Sequence, residues 1–118
     1  MTPVRVLIVD DHEGFLAAAT ALLTTSGYEV VSSAPDGESA LAAAREHQLD
    51  LVLVDLQLPG IDGVEVAHRL HALGHAPDVI LISSRDEAAT EPRVLSAPTR
   101  GFIAKRHLTR ASIEALRP

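Results

Sequence analysis

Apolar residues in this chain fall into short unbroken blocks separated by longer stretches with helical spacing, and this alternation sets the fold class. Val4 to Val9 is a β-branched and leucine-rich run broken only by Arg5, and Leu51 to Val54 has no break. Such runs lack the alternation of a half-exposed strand and predict strands covered on both faces, with Leu51 to Val54 as the central one. Glu29 to Ser33, Val79 to Ile82 and Gly101 to Ala104 predict three more strands. Between them, Phe15, Leu16, Ala19, Leu22 and Leu23 form a helical stripe over Glu13 to Thr25, which Gly27 stops. Asp36 is placed to cap a second helix through about His47, with Leu41, Ala44 and Arg45 on or beside one face. Asp62 and Glu65 have capping-box spacing for a third helix, from Asp62 to Leu73, with Gly74 at its end. Leu108 to Leu116 predicts a final amphipathic helix. Arg85 to Ala97 has the weakest pattern, because Pro92 and Pro98 confine any helix there to a short central piece.

Strands of this kind alternating with helices predict an α/β fold built on a parallel sheet with helices on both faces. Right-handed crossovers bring every strand-to-helix loop to one edge of the sheet, and in such folds sites lie beyond the carboxyl ends of the strands. Asp10, Asp11, Asp55, Ser83 and Lys105 all stand at or just after a predicted strand end. Five polar residues distant in sequence are therefore expected to converge.

Composition narrows the picture further. A length of 118 residues suits one domain with a real core and leaves no room for a second of similar size. The apolar runs are far shorter than a membrane span, no basic and apolar signal pattern precedes the first strand, and a cytoplasmic location is the expectation. With no cysteine, disulfides, thiolate zinc sites and iron–sulfur clusters are excluded. A net charge of −6 argues against a nucleic-acid-binding surface. His68, His71 and His75 read as solvated or interfacial rather than as a zinc site, since no carboxylate set converges on them. Lys105 is the only lysine; the other nine Lys/Arg positions are arginine.

Converging carboxylates repel one another, and a hard divalent cation such as Mg2+, with Mn2+ as an alternative, removes that penalty. Asp11 and Asp55 can each give one oxygen, Asp10 suits a water, and the backbone carbonyl of Gln57 is a natural further ligand. A plainer role for Asp10 and Asp11 is to cap the helix starting near Glu13. For Asp55 a plain role is harder to find: it ends the most buried strand, and no cationic residue follows until Arg69. An ionised carboxylate beside a dication and a lysine is equipped to attack an activated phosphoryl group. Ser83 would then donate to one phosphoryl oxygen and Lys105 would pair with another. The acyl phosphate on Asp55 would draw Ser83 and its loop inward. Phe102 is by default a half-buried strand aromatic, and its ring would fit space vacated by Ser83. Ser84 caps the next segment or faces solvent, and Pro59-Gly60 forms a turn, with Gly60 or Gly63 supplying backbone freedom.

Four blocks in order carry a resemblance: Val9-Asp10-Asp11, Asp55-Leu56-Gln57-Leu58-Pro59-Gly60-Ile61-Asp62-Gly63, Ile82-Ser83-Ser84-Arg85-Asp86 and Gly101-Phe102-Ile103-Ala104-Lys105. Together they resemble the receiver domain of two-component response regulators, from Val4 to about Leu116. The resemblance implies a flavodoxin-like (βα)5 sandwich with strand order 2-1-3-4-5. It also implies a phosphoacceptor at Asp55, metal held by Asp10, Asp11, Asp55 and the Gln57 carbonyl, a signalling hydroxyl at Ser83, an anchoring amine at Lys105 and an aromatic switch at Phe102. The implied partners are a histidine kinase or histidine phosphotransfer protein, and an output protein or second copy engaging the fourth helix, fifth strand and fifth helix. Neither nucleic acid nor membrane is an expected direct partner.

Three positions depart from the family pattern. Arg106 follows the lysine where many relatives have proline, so no cis peptide bond is expected there. Pro98 replaces a glycine often found before the fifth strand, and Pro92 interrupts the fourth helix. No DNA-binding or enzymatic module follows the last helix, which leaves a stand-alone receiver or part of a longer regulator. A receiver-like module used only for constitutive interaction would not require Asp10, Asp11, Asp55, Ser83 and Lys105 intact. A flavin-binding domain of this topology would need a phosphate-cradling first loop, where Asp10-Asp11-His12-Glu13 instead repels phosphate. A phosphatase-like hydrolase would need a substrate-enclosing segment that the chain lacks.

Overall fold

In the computed structural model, which describes residues 2–118, β1 (Arg5–Val9), β2 (Glu29–Ala34), β3 (Leu51–Asp55), β4 (Asp78–Ser83) and β5 (Gly101–Ala104) form one sheet in the order β2-β1-β3-β4-β5. Every adjacent pair is parallel. The helices are α1 (Glu13–Thr25), α2 (Gly37–Glu46), α3 (Gly63–His71), α4 (Pro92–Leu95) and α5 (Arg110–Leu116), with 3-10 turns at Asp86–Thr90 and Lys105–His107. The sandwich and its strand order are those expected.

The unbroken apolar runs are explained by two cores. Leu7, Val9, Val52, Val54 and Leu81 point to one face, where α2 and α3 supply Leu41, Val66 and Leu70. Their strand neighbours Val6, Ile8, Leu51, Leu53, Ile80 and Ile82 point to the other, against Ala19 and Leu23 of α1 and Ile113 of α5. Alternate residues of each strand thus meet different helices, and β3 is buried along its whole length.

Several boundaries differ from expectation. Helix α3 ends at His71, short of Leu73. Its cap is half of the expected box: Asp62 accepts from Glu65 N at 2.9 Å, but the Glu65 carboxylate accepts from Arg69 Nε at 3.0 Å. Leu22 is 39% exposed, because Ala19 and Leu23 take the inward positions of α1. The last helix starts at Arg110 rather than Leu108, set by a reciprocal box between Thr109 and Ser112. Pro92 begins α4 rather than interrupting it, since a first-turn residue has no helical N–H to lose, and the helix is only four residues long.

Candidate functional site

The loops leaving β1, β3, β4 and β5 bring the expected polar residues to one rim of the sheet. Asp55 is the last residue of β3 and Ser83 the last of β4; the two are 3% and 2% exposed. Asp10 follows β1 and is fully buried, held by its own N–H donating to Ala34 O at 3.0 Å. Lys105 follows β5 and reaches back across the rim. Its Nζ lies 2.5 Å from Asp10 Oδ2 and 3.0 Å from Asp55 Oδ2, so a single ammonium bridges two buried carboxylates. The contact to Asp55 is a hydrogen bond, whereas the contact to Asp10 Oδ2 is an ion pair without hydrogen-bond alignment.

Neither Asp10 nor Asp11 caps α1. His12 holds the N-cap position and makes no side-chain cap, while Asp10 Oδ1 turns back to accept from His12 N at 2.8 Å. Asp11 is exposed at the mouth of the cluster. Asp55 Oδ1 accepts from Gln57 N at 3.2 Å, which wraps the start of the β3–α3 loop around the carboxylate. Gly63 presses against this strand end: a Cβ there would clash with the carbonyl oxygen of Asp55. Its role is close approach, whereas Gly60, at φ 77°, supplies the left-handed turn.

Ser83 Oγ accepts from Arg85 N at 3.0 Å and is thus engaged with its own loop rather than with Asp55. A cleft of about 470 Å³ opens beside it, between the β3–α3 loop and α4. Phe102 is half-buried and packs on the sheet face shared with Leu81. Ser84 is exposed. No cis peptide bond occurs among the described residues, and Arg106 forms a bidentate pair with Asp86 that ties the β4 and β5 loops together.

The electrostatics follow from two buried acids sharing one amine. Burial pushes the Asp55 carboxyl up from its ordinary value; Lys105 and the Gln57 N–H oppose this, and the charge of Asp10 adds to it. Burial acts the same way on Asp10, but Lys105 and the two nitrogens of His12 outweigh it and hold that carboxyl low. The two acids therefore split, because Asp10 has the closer ammonium and two His12 nitrogens beside it, where Asp55 has a single backbone N–H besides Lys105 and feels the charge of Asp10. For Lys105, burial works to lower the pKa, yet its pairing with Asp10 and Asp55 holds it above the ordinary value, so it stays charged.

Two neighbours of the site were not anticipated from the sequence. Phe15, read only as part of the α1 core stripe, places its ring 4.5 Å from Lys105 Nζ and steadies the ammonium from below. His12 extends the acidic cluster, and among the described residues Asp10, Asp11, His12 and Asp55 are the group spaced to hold a metal ion, one ligand atom from each lying within 4.8 Å of the others. An aromatic in the first turn after β1 and an imidazole next to two aspartates were the signals available.

Residues 6–117 match the response regulator receiver domain family. The chain belongs to that family. The receiver domain is 35% identical over 117 residues to the response regulator GacA of Pseudomonas viridiflava, covering 97% of this chain and 54% of that protein. It is 32% identical over 107 residues to the Fimbriae Z protein of Salmonella typhimurium, covering 90% of this chain and 51% of that one. The chain spans about half the length of the curated relatives it matches. Among solved structures, the signal receiver domain of NarL from Mycobacterium tuberculosis superposes with a TM-score of 0.87 at 30% identity, covering 99% of this chain and 98% of that one. The response regulator TrrA from Thermotoga maritima, solved in complex with Mg2+ and BeF, superposes with a TM-score of 0.82 at 26% identity, covering 97% and 96%.

Proposed function

We propose that this receiver domain accepts a phosphoryl group on Asp55 from a phosphohistidine of a histidine kinase or phosphotransfer protein. The observation that carries the reading is Lys105 bridging Asp10 and Asp55 beneath the exposed Asp11, at the end of the most buried strand. An Asp55 carboxylate oxygen attacks phosphorus, the phosphorus–nitrogen bond breaks, and the departing imidazole takes up a proton. Water later attacks phosphorus and releases inorganic phosphate, restoring the free carboxylate.

The donor set suits a hard dication: the carboxylates outnumber the ammonium, and Asp10 Oδ2 is buried without an aligned hydrogen bond. Asp10, Asp11, Asp55 and the Gln57 carbonyl would hold Mg2+, or Mn2+ in its place, which when bound offsets charge on the phosphoryl oxygens. Lys105 leaves Asp10 to pair with one phosphoryl oxygen. Ser83 turns its hydroxyl to another, giving up Arg85 N, and Phe102 follows into the space vacated. The conformational change reaches α4, β5 and α5, which form the surface for an output protein or a second copy. Both the short α4 and the Arg106–Asp86 tie lie on this path.

We read the whole chain as one receiver domain acting in the cytoplasm; no helix among the described residues is long and apolar enough to cross a membrane. The test is incubation with Mg2+ and acetyl phosphate or phosphoramidate, followed by intact mass measurement. An adduct of about 80 daltons, the elements of HPO3 added by phosphoryl transfer, is expected for the unsubstituted protein and absent in Asp55→Asn. No adduct with any donor would favour a constitutive interaction module.

A further inference from the structure

The acidic cluster has a fourth member, His12, whose ring does no work for the helix it begins: the N-cap side chain makes no capping hydrogen bond. Instead Nδ1 turns to the carboxylates, 3.0 Å from Asp10 Oδ1 and 3.2 Å from Asp11 Oδ1. Neighbouring ligand atoms of an octahedral ion, each roughly 2.1 Å from the metal, stand ~3.0 Å apart. The same spacing fits an ordinary hydrogen bond from Nδ1, so ligand chemistry must separate the two roles. Carboxylate and carbonyl oxygens alone suit Mg2+, whereas an added imidazole raises affinity for borderline first-row dications along the Irving–Williams order.

We propose that His12 Nδ1 is an additional metal ligand, making this a site for a transition-metal dication of the Mn2+, Fe2+, Co2+ or Zn2+ class as well as for Mg2+. The inference rests on the Asp10, Asp11 and Asp55 metal set proposed above. The ring gives the Nδ1 lone pair to the metal while Nε2 keeps its proton; at 69% side-chain exposure, the imidazole can turn toward the ion without repacking the core. Asp10 Oδ1 already accepts from His12 N and stays fixed by that bond when Nδ1 turns away. His12 enters neither the attack by Asp55 nor the pairing by Lys105. It sets which ion the site prefers.

The test compares the unsubstituted 118-residue protein with His12→Ala, titrated separately with Mg2+ and Co2+ by calorimetry, with the Co2+ absorption spectrum as a second readout. Other histidines bind Co2+ too, so only Co2+ that excess Mg2+ displaces is counted. The expected result is a loss of about tenfold or more in displaceable Co2+ affinity in His12→Ala, with Mg2+ affinity kept within about twofold and loss of the nitrogen-ligand absorption. Equal changes for both ions, or none for either, would overturn the role of His12 while leaving the carboxylate site standing. Absence of any Mg2+ binding to the unsubstituted protein would overturn both, and is told apart because in the former case Mg2+ still binds.

Discussion

The two rims of the sheet are built from the same residue types and balanced in opposite ways. At the N-terminal rim, Asp78 lies between two guanidinium groups, with Oδ1 3.0 Å from Arg100 Nε and Oδ2 2.8 Å from Arg117 Nε. Nearby, Arg5 pairs with Glu29 at 2.6 Å, and its backbone N–H donates to Asp50 at 2.8 Å. At the C-terminal rim three carboxylates gather around one ammonium charge: Lys105 pairs with the buried Asp10 and Asp55, while the exposed Asp11 meets the His12 ring. Burial raises Asp78 too, yet its two arginines outweigh that and hold it below the ordinary carboxylate value, whereas Asp55 is left above it. One rim is compensated and supports the fold. The other retains uncompensated negative charge, which suits a dication and then a phosphoryl group.

The largest test of this contrast removes the single cation. Lys105→Ala leaves Asp10 and Asp55 buried without their partner, and is expected to lower metal-free stability by about 3 kcal/mol. Chemical denaturation with and without Mg2+ should show the ion restoring more stability to this variant than to the unsubstituted protein, since the added charge replaces the lost one. Equal midpoints for the two metal-free proteins would break the comparison.

A smaller loss is expected at the compensated rim. Asp78→Asn removes two charge-assisted hydrogen bonds and should cost about 1–2 kcal/mol at neutral pH. Because the folded-state pKa of Asp78 is depressed, its stabilisation is complete above the unfolded value of about 3.9 and is lost as pH falls through the folded value. Denaturation curves across pH should therefore converge for the two proteins in acid. A gap that stayed constant with pH would assign the loss to packing rather than charge.

Asp55→Asn should give the smallest change, with the opposite sign. Its raised folded pKa means that ionising this group costs stability, fully above the folded value and not at all below the unfolded one. The metal-free variant is expected to melt slightly higher than the unsubstituted protein at neutral pH and to match it in acid, while gaining less from Mg2+. A lower melting temperature at neutral pH would show that the Lys105 hydrogen bond outweighs burial and the repulsion from Asp10.

How much could be read in advance depended on how local each feature is. The bounds of β5 and the cap at Asp36 followed from neighbouring residues and stand where expected. The capping box of Thr109 and Ser112 is equally local, but the apolar Leu108 before it drew the expected helix start too early. Leu22 had the right spacing for the α1 stripe and still faces solvent, since a periodic pattern does not say how wide the sheet beneath the helix is. Phe15 and His12 were adjacent to readable motifs, yet their partners are reached only through space.

By itself the sequence determined a parallel α/β sheet and the polar residues delivered to its C-terminal rim. Unbroken apolar blocks mark strands covered on both faces, and the handedness of crossovers is general to L-amino-acid chains. Tertiary structure alone decided that Lys105 bridges Asp10 and Asp55 over the Phe15 ring, that Ser83 is held by Arg85 N, and that His12 turns to the acids rather than to its helix. Those outcomes depend on side-chain direction and on distances between segments far apart in the chain, which local spacing does not encode.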